Sequence, residues 1–370
     1  MDAIEKSFIK KKTPNIRNRL VIKIFFCYKS AIVKMTDWSY FWRKIMIKIL
    51  GTGSYVPEKV LTNFDLEKTL DTSNEWIIKR TGIKERRIAA PEESTVSFSV
   101  NAAKKALAAA GVSAEDVDLL ILTTSTADYQ ISSSAPIIAN ELGCRKIPAF
   151  DLNAVCAGFV YGFGVATGFL ESGMYKNCLL IGADTYSRIL NWKNRNSCIL
   201  FGDGAGAVFM KKEEGASNIL SYDYCSDGSG SAHIRIPVGG SKIPYHSSEN
   251  IAEDDLYFQM DGKKVYEFTI KEIPACVERL LEKANISSAD LDAVVFHQAN
   301  IRIIDTVAKD CEIPIEKFFI NIQKYGNTSS ASVPLALDEA VREGKIKSGD
   351  KILMLGFGGG LSWGGIILEW

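Results

Sequence analysis

Cys156 is the residue whose surroundings first suggest chemistry. It follows the largely apolar run Phe150-Asp151-Leu152-Asn153-Ala154-Val155 and precedes the small-residue stretch Ala157-Gly158-Phe159-Val160-Tyr161-Gly162. A run of this kind breaking into Gly and Ala reads as strand, turn and helix. That arrangement puts the thiol at a helix N-terminus, where unpaired N–H groups and the helix dipole favour negative charge. The thiolate is the nucleophilic form, so a thiol of lowered pKa is expected. The competing reading is a buried cysteine acting as a small apolar side chain. Any Cys–His chemistry must draw on His233, His246 or His297, the three histidines of the chain. His297 ends the apolar run Val294-Val295-Phe296 and precedes Gln298-Ala299-Asn300. A histidine in that setting is often structural. Asn327 lies in Tyr325-Gly326-Asn327-Thr328-Ser329-Ser330, ahead of a helical pattern. There an Asn also serves as a cap or turn residue. A thiol, an imidazole and a carboxamide that meet would form a nucleophilic acyl-transfer site.

An internal duplication gives them a reason to meet. Residues 107–122 read LAAAGVSAEDVDLLIL and residues 281–296 read LEKANISSADLDAVVF, 174 positions later. LLIG at 179–182 and LMLG at 353–356 repeat the same offset. Aligning Glu171-Ser172-Gly173 with Arg342-Glu343-Gly344 sets Cys156 opposite Asn327, at an offset of 171. Each copy alternates apolar strands with amphipathic helices, predicted at 97–110, 157–171, 264–284 and 330–343. The pattern predicts an α/β fold of two pseudo-symmetric halves, 46–215 and 216–370, with mixed sheets layered with helices. Equivalent strand ends then face one crevice. Residues 356–365 carry four Gly in five positions, which lets the backbone approach a ligand closely. That stretch lacks the Lys-Ser/Thr of a phosphate loop and the spacing of a dinucleotide fingerprint. Phe201-Gly202-Asp203-Gly204-Ala205-Gly206-Ala207 reads as a tight packing turn.

Composition narrows the classes further. The 370 residues are 46% hydrophobic and 24% charged, with zero formal net charge. Residues 1–45 hold 11 Lys/Arg and three Asp/Glu, leaving the remainder at −8. A body so charged does not bind nucleic acid through its overall field. The eight Cys form no CxxC or Cys/His cluster, so neither zinc nor a disulfide framework is indicated, and a reducing cytoplasm fits. Residues 20–33 are apolar but too short and too charged to span a bilayer. For residues 1–45 the expectation is a mis-assigned start, with translation beginning at Met46, or a disordered basic tail; organelle targeting is the alternative.

From Met46 to Trp370 the chain resembles the 3-oxoacyl-[acyl-carrier-protein] synthase III family, the initiating condensing enzymes of bacterial type II fatty acid synthesis, which have the thiolase fold. The resemblance rests on Gly51-Thr52-Gly53-Ser54-Tyr55, Asn74-Glu75-Trp76-Ile77 with Arg80-Thr81-Gly82-Ile83, the Cys156 segment, Phe201 to Ala207, His297 to Asn300, Gly326 to Ser332, and Phe357 to Gly360. It implies that Cys156, His297 and Asn327 are catalytic, with backbone N–H groups of Cys156 and Gly359 as the oxyanion hole. It implies an acyl-CoA substrate held by Trp76, Arg80, Arg195 and Asn300. Malonyl-acyl carrier protein would be met by Arg302, Gln298 and Lys309. It implies a homodimer and no metal or redox cofactor. Two features depart from the family pattern. Gln130, in Tyr129-Gln130-Ile131-Ser132, occupies the stretch that lines a neighbouring subunit's primer pocket. Glu267 stands where some members carry a basic docking residue, with Lys263 and Lys264 nearby. A primer-specific relative of polyketide metabolism would use the same three residues, and a Cys–His–Asn acyl hydrolase uses the same residue types.

Overall fold

The computed structural model describes residues 45–215, 217–246 and 251–370. The expectations for the basic N-terminal segment lie outside the described residues. One sheet holds five strands, β1 (Ile45–Tyr55), β2 (Leu120–Thr123), β3 (Ala149–Leu152), β4 (Asn177–Asp184) and β5 (Gly204–Glu214), in the order β1-β5-β4-β2-β3. The other holds four, β6 (Ile219–Ser226), β7 (Ala293–Phe296), β8 (Lys351–Gly358) and β9 (Ser362–Glu369), in the order β7-β8-β9-β6.

The duplication is visible in the pairing. β2 runs parallel to β4, which is antiparallel to β5; β7 runs parallel to β8, which is antiparallel to β9. Leu122 pairs with Ile181, and Phe296 and Leu355, each 174 residues beyond its counterpart in that pair, pair in the same way. The counterpart of β3 is reduced to a single parallel bridge, Val294 to Phe318. Every residue of β2 and β7 is buried. Strands covered on both faces have no polar side, hence their unbroken apolar runs.

The main helices are α1 (Asn74–Thr81), α2 (Thr95–Ala110), α3 (Gly158–Glu171), α4 (Gly262–Ala284), α5 (Ile301–Asp310) and α6 (Ser332–Arg342). α2 covers the first sheet and α4 the second, while α3 and α6 touch strands of both. The layers therefore run helix, sheet, helix pair, sheet, helix. α2 begins two residues before the predicted start because Ser94 and Ser97 form a capping box. α6 begins later than predicted because Ser329–Ala331 is a 3-10 turn.

Two glycines set how closely the central helices approach. A Cβ on Gly182 of β4 would stand 2.5 Å from Ser330 O, at the turn before α6. A Cβ on Gly356 of β8 would stand 3.1 Å from Ala157 Cα, at the turn before α3. These positions are again 174 apart. Each half thus seats the other half's central turn on a bare strand, which carries Cys156 and Asn327 to the middle of the molecule.

Candidate active site

Cys156 sits in a 3-10 turn, Val155–Ala157, between β3 and α3. Val155 has φ 49°, a left-handed conformation rare for a β-branched residue, so the turn is held by its surroundings. A Cβ on Gly358 would lie 2.8 Å from Cys156 Cβ, so only glycine lets β8 pass this close to the sulfur-bearing residue. Gly359, the next residue, is buried beside it. His297 follows β7 directly and its N–H donates to Leu355 O at 2.9 Å. The edge of its ring meets Phe357, centroids 5.0 Å apart at 77°. Asn327 N–H donates to Leu200 O at 2.8 Å, and its side-chain Oδ1 accepts from Ser329 N at 2.9 Å. With Oδ1 so engaged, the carboxamide NH2 is the part left to donate.

Cys156, His297 and Asn327, from three separate elements, line one cavity of about 180 Å³. Its walls include Tyr186, Phe201, Phe258 and Phe357, with no Asp, Glu, Lys or Arg among the lining residues. Burial sets the charge state. The expected lowering of the thiol pKa is reversed: desolvation pushes Cys156 up to about 12, the Asp184 carboxylate adds to it, and contacts with Ser329 and Tyr186 oppose it. The helix N-terminus does not outweigh removal of the sulfur from water. Desolvation also holds His297 down to about 3. At neutral pH the site therefore holds a thiol and a neutral imidazole, not an ion pair. His297 Nδ1 is buried without a hydrogen-bond partner among the described residues.

The structure adds residues that sequence reasoning missed. Asp184, fully buried at the end of β4, accepts from Thr124 Oγ1, Ser125 N and Thr126 Oγ1 on one oxygen and from Ser330 N and Oγ on the other, at 2.7–3.1 Å. It thereby joins strand ends of one half to the 329–331 turn of the other. Its available signal was an acidic residue closing the apolar run Leu179-Leu180-Ile181-Gly182-Ala183. Ser329 Oγ lies 3.5 Å from Cys156 Sγ. Tyr186 is 2% exposed and stacks on Phe201, centroids 4.6 Å apart.

The other expected residues divide. Asn300 lines the cavity and caps α5 through Arg302 N. The Arg80 and Arg195 guanidinium carbons each lie 5.4 Å from the Trp76 ring centroid, and Arg195 adjoins the cavity-lining Asn196. Arg302 and Lys309 are exposed on α5. Gln298 is a correction. It is 1% exposed, donates to Phe296 O and Phe319 O, and accepts from Asn321 N and Ile322 N, so it braces the loop from inside and cannot meet a carrier protein. Gln130 is exposed, lies 3.4 Å from Gly239 O and does not line this chain's own cavity. Glu267 pairs with both Lys263 and Lys264. Asp203, within the predicted packing turn, accepts from Ala89 N and Ser187 N and is structural.

Two layered α/β halves with a buried cysteine at their junction define a thiolase-like acyltransferase. Two family profiles match, 3-oxoacyl-[acyl-carrier-protein] synthase III over residues 150–228 and its C-terminal counterpart over 281–370. A beta-ketoacyl-[acyl-carrier-protein] synthase III of Caldanaerobacter subterraneus subsp. tengcongensis is 47% identical over 328 residues, 88% of this chain and 98% of the relative. One from Fusobacterium nucleatum is 48% identical over 324 residues, with the same coverage. The crystal structure of 3-oxoacyl-[acyl-carrier-protein] synthase III from Aquifex aeolicus VF5 is 44% identical and superposes with a TM-score of 0.81 over 88% of this chain and all of that one. The chain belongs to the 3-oxoacyl-[acyl-carrier-protein] synthase III family.

Proposed function

We propose that the chain catalyses the decarboxylating condensation of an acyl-CoA primer, acetyl-CoA first among them, with malonyl-acyl carrier protein, giving 3-oxoacyl-carrier protein, CoA and carbon dioxide at the start of fatty acid synthesis. The observation that carries the reading is the convergence of Cys156, His297 and Asn327 on one uncharged cavity. Cys156 sulfur attacks the thioester carbonyl; an S–C bond forms, the bond to CoA sulfur breaks, and the thiol proton leaves with CoA. Malonyl-carrier protein follows. The neutral His297 ring and the Asn327 NH2 donate to its thioester carbonyl, and the electrons freed by loss of carbon dioxide collect on that oxygen as an enolate. Neutral donors suit this task, since a carboxylate there would repel the developing charge. The enolate carbon attacks the acyl-Cys156 carbonyl, whose oxyanion is met by the N–H groups of Cys156 and Gly359. The sulfur is then expelled as a thiolate and takes up a proton from solvent, the one proton that the overall reaction consumes.

Trp76 and Arg195 are the proposed adenine clasp and Arg80 the phosphate contact, supported by the two guanidinium groups against one half-exposed indole. Asn300 is the proposed contact deeper in the cavity. Arg302 and Lys309 are the proposed carrier-protein contacts. The proposed chemistry itself needs no metal or redox group. The same reading takes 46–215 and 216–370 as the duplicated halves and a homodimer as the working assembly, supported by exposed Tyr129 and Ile131 flanking Gln130. It places the enzyme in the cytoplasm; among the described residues no helix is long and apolar enough to cross a membrane.

The test is a panel of acyl-CoA primers with malonyl-carrier protein, scored by product mass. We expect 3-oxoacyl-carrier protein from short straight primers. Free fatty acid as the main product would instead establish a hydrolase, and use of unusual primers alone would establish a specialised relative.

A further inference from the structure

The mechanism leaves one matter open. A thiol held up by burial must still become a nucleophile, and no charged residue lines its cavity. We propose that the hydroxyls of Ser329 and Tyr186 form a buried hydrogen-bond cradle that holds the Cys156 sulfur in place and stabilises its thiolate, making both positioning residues for acyl transfer. The inference rests on Cys156 being the acyl-carrying nucleophile.

The geometry is specific. Ser329 Oγ accepts from Cys156 Sγ at 3.5 Å in the thiol form, within the range for a sulfur donor. Ser329 is fully buried with φ 53°, a left-handed conformation unusual for serine. That conformation lets one residue serve two catalytic groups, because its N–H holds Asn327 Oδ1 while its Oγ meets the sulfur. Tyr186 stands behind it. Its phenol lines the same cavity as the sulfur and accepts from Ser125 Oγ at 3.3 Å. Ser125 Oγ also donates to the Asp184 carboxylate at 3.0 Å. Neither contact uses the Tyr186 proton, which is left to donate toward the sulfur. When the thiol proton departs, the Ser329 hydroxyl can turn its proton toward the anion with no heavy atom moving, and the Tyr186 hydroxyl shares the same cavity.

The groups facing the sulfur are few. Asp184, from the end of β4, disfavours the thiolate, and neutral His297, after β7, carries no charge to favour it. Ser329, the Cys156 backbone N–H and Tyr186 oppose the effect of burial, and Ser329 and Tyr186 are the side chains among them. Hydrogen bonds to a charged group are the stronger kind, so losing one would lower thiolate population roughly tenfold.

The experiment measures alkylation of Cys156 against pH in the full-length protein, with Cys156→Ala as blank, for wild type, Ser329→Ala and Tyr186→Phe. Iodoacetamide and the smaller methyl methanethiosulfonate are both used. We expect each variant to react about tenfold more slowly at every pH below the thiol midpoint, by the same factor for both reagents, with unfolding midpoints near wild type. A fall confined to iodoacetamide would mean that the cavity had merely changed shape and would overturn the proposal. Unchanged profiles in both variants would also overturn it. Incubating wild type with acetyl-CoA separates the two levels: failure to form an acyl adduct would undo the nucleophile assignment itself, whereas an adduct with unchanged variant profiles would undo only the cradle.

Discussion

At the residue scale the governing fact is desolvation. It keeps both Cys156 and His297 neutral, so the site stores no charge until substrate arrives. His297 gives a pH prediction. An unfolded histidine titrates near 6.5, whereas folded His297 is held to about 3 by burial. Between those values only the unfolded chain binds the proton. Stability from this group is therefore full above about 6.5 and falls as pH drops, by up to ~1.4 kcal/mol per unit. We expect His297→Gln to lose less stability than wild type between about pH 7 and pH 5, read from urea midpoints; equal losses would show that His297 is not held neutral. A second prediction concerns division of labour. His297→Ala or Asn327→Ala should still acquire an acyl group on Cys156 while condensation falls by ~10²–10³, the typical cost of one lost oxyanion donor. Near-normal product formation by either variant would contradict the assignment.

At the element scale, glycine contacts and strained turns hold the proposed catalytic residues where they are. Gly182 has no room for a methyl group beside Ser330 O. Gly182→Ala should displace the 329–331 turn, costing about 1–3 kcal/mol by overpacking and reducing activity with it. A variant with wild-type melting and turnover would show that the turn yields freely. This is also where sequence and structure diverge. The doubled strands were legible because burial on both faces leaves apolar runs that repeat at a fixed offset. The three catalytic candidates were legible because the offset itself gave them a common centre. Ser329, Tyr186 and Asp184 were not legible. Their importance comes from contacts across 61, 146 and 173 positions, which no local pattern encodes. The thiol pKa was misread for a related reason: a helix N-terminus is visible in sequence, whereas burial against the other half is not. Gln298 was misread because its neighbours mark a site, while its own carboxamide is spent on four backbone groups.

At the scale of the whole molecule, net charge decides how a charged partner can approach. The body beyond residue 45 is net acidic, so an acidic carrier protein must find a local basic patch, for which Arg302 and Lys309 are the exposed candidates on α5. Reversing one charge with Arg302→Glu should raise KM for malonyl-carrier protein several-fold, in a salt-dependent way. Acylation by acetyl-CoA, which needs no carrier, should remain close to wild type. Equal effects on both half-reactions would place Arg302 elsewhere in the mechanism. All of these outcomes depend on one chemical event. The direct measurement is peptide mass mapping after incubation with acetyl-CoA, followed by addition of malonyl-carrier protein. The acetyl group should appear on the peptide bearing Cys156 and disappear as 3-oxoacyl-carrier protein forms. An adduct on another residue, or undiminished product from Cys156→Ala, would contradict the account.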